Sequence, residues 1–200
     1  VHVTKDGHVV VMHDATTKRI GGHDRKIAEQ TLAELRELDV GGWMSPDFRG
    51  ERIPTLGDVL ATVPRGRTLF VEIKSGPETI PAIAAAIRRA DPRPRGGKLA
   101  LQGFDAKTLA AFAAAVPGAP AYWTVDPPVD DTDKEHPIPL PYPRGVVAAA
   151  KRHGFPGLAL FFGSVTDELL ADAAAAGLEI DVWTINEAPE LAKWTSRPGI

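Results

Sequence analysis

From residue 69 onward, apolar stretches of strand length alternate with longer segments carrying Ala, Leu and Ile at helical spacing. The pattern predicts strands at 69–74, 98–102, 120–125, 157–162 and 178–184. Helices are expected at 78–90, 105–115, 144–153, 165–176 and 187–195. Repeated β-α units with near-continuous apolar strands call for a parallel sheet with helices outside it. Two architectures satisfy that demand, a closed barrel and an open flavodoxin-like sheet. The open sheet leaves the polar strand-end residues without a shared centre. Val1–Thr4 adds a strand at the beginning, which brings the expected number to six. A closed eightfold barrel takes about 250 residues. The expectation is therefore an α/β chain, an incomplete (β/α)8 TIM barrel with about six of eight strands, as a single domain over 1–200.

Ahead of the repeat, Asp6-Gly7 marks a hairpin turn that returns the chain through Val9–Met12 to His13-Asp14. Residues 15–29 read as a polar loop. Thr31 with Glu34 forms a capping box for a helix to about Leu38, and Pro54–Asp58 opens another through Val63. The chain has no initiator Met, opens already in strand and closes at the start of what reads as another, so it is expected to be an internal piece of a longer protein.

The strand Leu69–Lys74 carries the sharpest chemical signal. Phe70, Glu72 and Lys74 share one face, and Leu69, Val71 and Ile73 the other. Helices covering the aliphatic face would aim Glu72 and Lys74 inward, where charges survive only when paired or bound to a metal. A buried ion pair and a functional site are both open on this pattern.

Composition narrows the partners. A formal net charge of −3 gives no basic field for nucleic acid. The five Lys/Arg residues of Arg88–Lys98 read as a solvated edge. No apolar run of about 18 residues exists to span a membrane, and without Cys there are no disulfides or thiolate metal sites.

Barrels of this kind draw catalytic groups from the C-terminal ends of different strands. Those positions here hold His13-Asp14, Glu72, Lys74, Gln102, Trp123, Phe161, Phe162, Asp181 and Trp183. They supply an acid/base, a metal-capable carboxylate, a cation and an aromatic wall. Gln102 also suits a role satisfying backbone groups. His8, His23, His136 and His153 fall on loops or a helix end and are expected at the surface, while His2 shares a face with Thr4 and has no assigned task.

Taken in order, these residues resemble the glycerophosphodiester phosphodiesterase family. The run from Val1 through Thr4, Asp6-Gly7 and Val10 to His13-Asp14 resembles its first signature block. Arg19, Thr31–Leu35, Leu38-Asp39 and Trp43 are similar to its loop and helix, and Ile53–Leu56 precedes Val71–Lys74 at the family's spacing. Gly177-Leu178 through Asp181–Asn186 resembles its C-terminal Trp-Thr-Val-Asn block.

The resemblance implies metal-dependent hydrolysis of a small-molecule phosphodiester to glycerol 3-phosphate and an alcohol. Glu72 would be one of three carboxylates on a divalent cation, Ca²⁺ or Mg²⁺. Lys74 would bind phosphate oxygens, His13 would act as general acid on the leaving alkoxide, and Trp183 would wall the glycerol end with Gln102 on the substrate side. The family's His-Arg-Gly and Glu-x-Asp would lie before Val1 and are not in this sequence. Gly103-Phe104 stands where the family has Ser-Phe, and Ile20 where a Thr is common. Activity is therefore expected of a parent chain rather than of these 200 residues alone. Two other readings remain at this point. One is a phospholipase acting on intact lipids, which the Pro-rich segment Pro127–Pro143 argues against because it has few large apolar residues. The other is a non-catalytic barrel that binds a phosphorylated ligand.

Overall fold

The computed structural model describes residues 1–90, 96–132 and 137–197. His136, the basic residues Arg93 and Arg95, and the expected strand start at the C-terminus lie outside the described residues. The chain forms two compact units, Val1–Ala100 with Ala111–Ala119, and Leu101–Ala110 with Pro120–Ile200.

The first unit opens with a hairpin, β1 (His2–Val3) and β2 (Val9–Val10), paired antiparallel with His2 opposite Val10. The amide of Thr4 donates to the His8 carbonyl and that of Gly7 to Thr4, which closes the turn. Gly7 sits at φ 81°, a left-handed value that glycine takes without penalty. Residues 15–29, expected as loop, contain a helical turn, α1 (Lys18–Gly21), and a 3₁₀ turn at Ile27–Glu29. Both are short and lack an apolar period, so periodicity had nothing to register. The capping box at Thr31 forms and opens α2 (Leu32–Arg36). A second box, Thr55 with Asp58, opens α3 (Leu56–Thr62). Val10, Met12, Ile27, Leu32, Leu35 and Ile53 make a buried cluster beneath these elements.

Strand β3 (Thr68–Glu72) follows, then α4 (Ile80–Arg89), which packs against α3. The Val1 amine donates to the Glu72 carbonyl at 2.6 Å, so the start of β1 lies beside the end of β3. β4 (Lys98–Gly103) begins along β3, with the Lys98 amide on the Arg67 carbonyl at 2.8 Å. The boundary between the units falls inside β4.

In the second unit, α5 (Ala106–Ala115) begins after β4, and β5 (Ala121–Val125) follows it. β6 (Val129–Asp130) and β7 (Ile138–Pro139) pair as a short antiparallel ribbon inside the Pro-rich stretch that had read as loop. Pro residues there break the alternation that marks strands. Next come α6 (Gly145–Arg152), β8 (Gly157–Phe161), α7 (Asp167–Ala175), β9 (Glu179–Trp183) and α8 (Ala188–Thr195). The strand order is β3-β4-β5-β8-β9, and β4 with β5, β5 with β8 and β8 with β9 are parallel. Among the described residues five strands, not six, make this sheet. The expected first strand pairs instead with its own hairpin partner.

Register sorts the side chains of the second unit. Thr124, Ala159 and Asp181 align, as do Tyr122, Gly157 and Glu179, with Phe161 beside Trp183 one pleat further. Gln102 pairs with Tyr122 and joins that face. The fully buried Leu158, Leu160 and Ile180 form the opposite face, and α6 and α7 pack against β8 and β9.

Candidate active site

Two groups of strand-end residues carry chemistry, one in each unit. In the first, β2 leads directly into His13-Asp14, and β3 ends at Glu72 with Lys74 two residues beyond. The alternation holds past the strand, since Val71 and Ile73 are buried. Glu72 and Lys74 turn the other way, with side chains 26% and 22% exposed.

Here the structure brings together three of the expected site residues. The Lys74 ammonium lies 3.4 Å from the Glu72 carboxylate and 3.2 Å from His13 Nε2. The two charges that the sequence left open as ion pair or functional site are thus an ion pair and at the same time share one patch with an imidazole. An apolar cavity of about 240 Å³ opens beside them, lined in part by Val1, Met12, Leu56 and Phe70. His2 is buried, with Nε2 3.4 Å from the His13 carbonyl, and its burial pushes its pKa down.

Sequence reasoning assigned no task to Asp14. Its Oδ1 lies 2.8 Å from His13 Nδ1, and Arg19 donates through Nε to Oδ2 at 2.7 Å and through a terminal nitrogen to Oδ1 at 3.3 Å. The Arg19 guanidinium, first, and then His13 hold the Asp14 carboxyl down at about 2. Arg19 itself lies over the Trp43 ring, 5.4 Å from its centroid. The adjacency His13-Asp14 was the available signal; the reach of Arg19 across five residues was not readable without the α1 turn.

Glu72 supplies one carboxylate to this patch. Among the described residues no three His, Cys, Asp or Glu side chains come together to hold a metal ion. A single carboxylate already paired with an ammonium is not the oxygen-rich cage that Ca²⁺ or Mg²⁺ takes.

In the second unit, Gln102 and Trp183 share the sheet face that also bears Asp181. Trp183 meets Phe161 at 5.8 Å and Phe104 at 6.5 Å between ring centroids, and its buried indole Nε1 has no hydrogen-bond partner. Aromatic rings therefore cluster around Trp183 at the strand ends. Trp123 is not part of this cluster. Its register partner is Leu158, on the opposite face, where it meets His153 edge-on and Phe155 at a tilt and donates to the Phe104 carbonyl. Asp181 Oδ2 and Thr124 Oγ1 are buried without partners on the Trp183 side. Burial first, and then the Glu179 charge, push the Asp181 pKa up.

Parallel β-α units with an imidazole, a cation and a carboxylate gathered at strand ends define a chain of the α/β-barrel class. The comparisons with known proteins make that specific. Residues 1–200 match the Glycerophosphoryl diester phosphodiesterase family, and the chain belongs to it. It is 38% identical over 91 residues to the glycerophosphodiester phosphodiesterase of Caldanaerobacter subterraneus, covering 45% of this chain and 37% of that protein. The glycerophosphodiester phosphodiesterase of Bacillus subtilis is 32% identical over 91 residues, covering 42% of this chain and 31% of its own. The matched segment thus spans about a third of these relatives' length. Among solved structures, an Oleispira antarctica phosphodiesterase in complex with the product sn-glycerol-3-phosphate superposes with a TM-score of 0.78. It has 22% identity and covers 96% of this chain and 74% of that one. The fold is that of an incomplete (β/α)8 barrel, as the β-α repeat predicts.

Proposed function

We propose that the full-length protein hydrolyses glycerophosphodiesters to glycerol 3-phosphate and an alcohol. The observation that carries this reading is the Lys74 ammonium 3.2 Å from His13 Nε2 at the end of β3. A cation for phosphate oxygens and a group able to move a proton stand side by side. Membership of the family and the glycerol-3-phosphate complex of the Oleispira relative support the substrate class.

The geometry suggests an order of events. Lys74 can only donate, so in the free site it occupies the Nε2 lone pair of His13. A phosphodiester oxygen competes for the ammonium and draws it off. Nε2 is then free to take up a proton from solvent and deliver it to the leaving alkoxide as the P–O bond breaks, while water adds to phosphorus and gives up its own proton to solvent. Lys74, now on the phosphoryl oxygens, stabilises the charge that develops there.

Glu72 would hold Lys74 in the free site, 3.4 Å away, and release it when phosphate binds.

One observation favours a second reading, turnover of intact lipids. Trp43, Met44 and Phe48 are 57%, 69% and 48% exposed on one loop of the first unit. They lie outside Pro127–Pro143, the segment whose few large apolar residues argue against a lipid-inserting rim.

The test is release of glycerol 3-phosphate from glycerophosphocholine by the full-length protein, compared with phosphatidylcholine vesicles. His13→Ala should lower kcat by about 10²-fold or more. Lys74→Ala should lower kcat/KM by about 10²–10³-fold. Undiminished turnover in either variant removes that residue from the site, and preference for vesicles moves the substrate to intact lipid.

A further inference from the structure

His13 has two ring nitrogens, and each faces a partner of fixed polarity. On the Nδ1 side is the Asp14 carboxylate at 2.8 Å, held at about 2 and so acceptor-only at neutral pH. On the Nε2 side is the Lys74 ammonium at 3.2 Å, a donor with no lone pair. A neutral imidazole carries one proton, and only one tautomer satisfies both neighbours: Nδ1–H to Asp14, Nε2 lone pair to Lys74.

Asp14 is in turn fixed from behind. The Arg19 fork takes both of its oxygens, and Arg19 lies over the Trp43 ring. Trp43 anchors itself by donating from Nε1 to the Val40 carbonyl at 2.8 Å. A line of side chains runs from the 39–50 loop through Arg19 and Asp14 to His13.

We propose that Asp14, clamped by Arg19, is the positioning residue of His13, fixing the Nδ1–H tautomer so that Nε2 faces the phosphate site. This rests on the reading of His13 and Lys74 as a phosphodiester-hydrolysing pair, and it adds the group that sets which nitrogen works. Asp14 touches neither substrate nor leaving group. It acts through the imidazole.

The chemistry makes an unusual prediction for Asp14→Asn. Asparagine has one oxygen where aspartate has two. Arg19 donates its shorter bond, through Nε, to the Oδ2 position, so the asparagine oxygen goes there. The amide NH₂ then displaces the weaker terminal Arg19 contact, 3.3 Å in the wild type, and faces His13 Nδ1, which must accept, so the ring proton moves to Nε2, against the Lys74 donor. Replacing Arg19 by methionine removes the competitor while keeping an apolar contact for Trp43. In the double variant the asparagine oxygen can turn back to Nδ1–H.

The experiment is ¹⁵N NMR of the His13 ring in the full-length protein, with steady-state kinetics on glycerophosphocholine alongside. The wild type and Arg19→Met should show the Nδ1–H tautomer, Asp14→Asn the Nε2–H tautomer, and the double variant a return to Nδ1–H. Asp14→Asn should lower kcat about ten- to a hundredfold with KM little changed. That is below the ~10⁴-fold of a buried Asp-His pair, because the His13 side chain is 74% exposed and water can partly substitute. An Nε2–H wild type, or an Asp14→Asn variant with the wild-type tautomer, overturns the proposal. The tautomer needs no turnover to be read, so a protein that fails to hydrolyse the substrate counts against the proposed function and leaves the positioning result standing.

Discussion

Asp181 lies one pleat below Trp183 on β9 with Glu179 one pleat further down, so two carboxylates share the face that also bears Tyr122 and Thr124. Tyr122 donates its hydroxyl to Glu179. Asp181 Oδ2 receives nothing, and burial raises its pKa. A carboxyl raised in the folded state favours the protonated form there, so stability falls as pH rises through its folded pKa. Asp181→Asn is neutral at every pH and should escape that loss. The variant should gain on the wild type by about 1 kcal/mol at pH 8 relative to pH 4. This is the low end for an unsatisfied group, since the residue is only partly shielded from water. Urea midpoints of both proteins at the two pH values give the difference, and a pH-independent gap between them sinks the assignment. That His13, Glu72 and Lys74 come together was legible, because strand parity and the order of the motifs place all three at strand ends. The positioning proposed for Asp14 was not, because it rests on a contact with Arg19 rather than on its own position.

Elements were legible to the degree that their signals were local. Both capping boxes form where Thr31 and Thr55 announce them. The five strands of the β-α repeat fall within two residues of their expected bounds, the largest difference being the stop at Glu72. Facing was harder. Parity separates Trp123 from Tyr122 and Thr124, but only cross-strand register shows that Leu158 is its partner. Register also explains Gly157, which aligns between Tyr122 and Glu179. A Cβ there would sit 2.6 Å from the Tyr122 ring and 2.7 Å from the Glu179 carbonyl oxygen. The ring can shift, but the strand carbonyl cannot without breaking the β8–β9 ladder. Gly157→Ala should therefore destabilise by about 2 kcal/mol, within the range for overpacked cores. Differential urea unfolding measures it, and Ala tolerated within 0.5 kcal/mol, about the noise of a surface substitution, would mean the two strands give more readily than their packing implies.

Across the whole chain, the response to acid is set by how many groups pull each way. Nine carboxylates among the described residues are lowered in the fold: Asp6, Asp14, Glu34, Asp39, Asp58, Asp105, Asp130, Asp172 and Glu190. Hydrogen bonds to side chains or backbone amides are the leading cause in each. A lowered carboxyl contributes stability above its unfolded value, and that contribution is lost as pH falls through its folded pKa. His2 acts in the same direction from a higher starting point. Its burial keeps the ring neutral, so below its ordinary 6.5 the unfolded chain takes up a proton that the folded chain resists. Among the described residues, Asp181 alone of the shifted carboxyls opposes them. Most of the nine are surface groups worth little singly, yet they share a sign. The urea midpoint should begin to fall between pH 7 and 5 and fall further towards pH 3. His2→Gln should flatten the first part and leave the second, because the carboxylates do not titrate until nearer pH 4. A midpoint that holds level or rises from pH 7 to 3 would mean that Asp181 and groups like it outweigh the nine, and that the surface hydrogen bonds to carboxylates form equally in the unfolded chain.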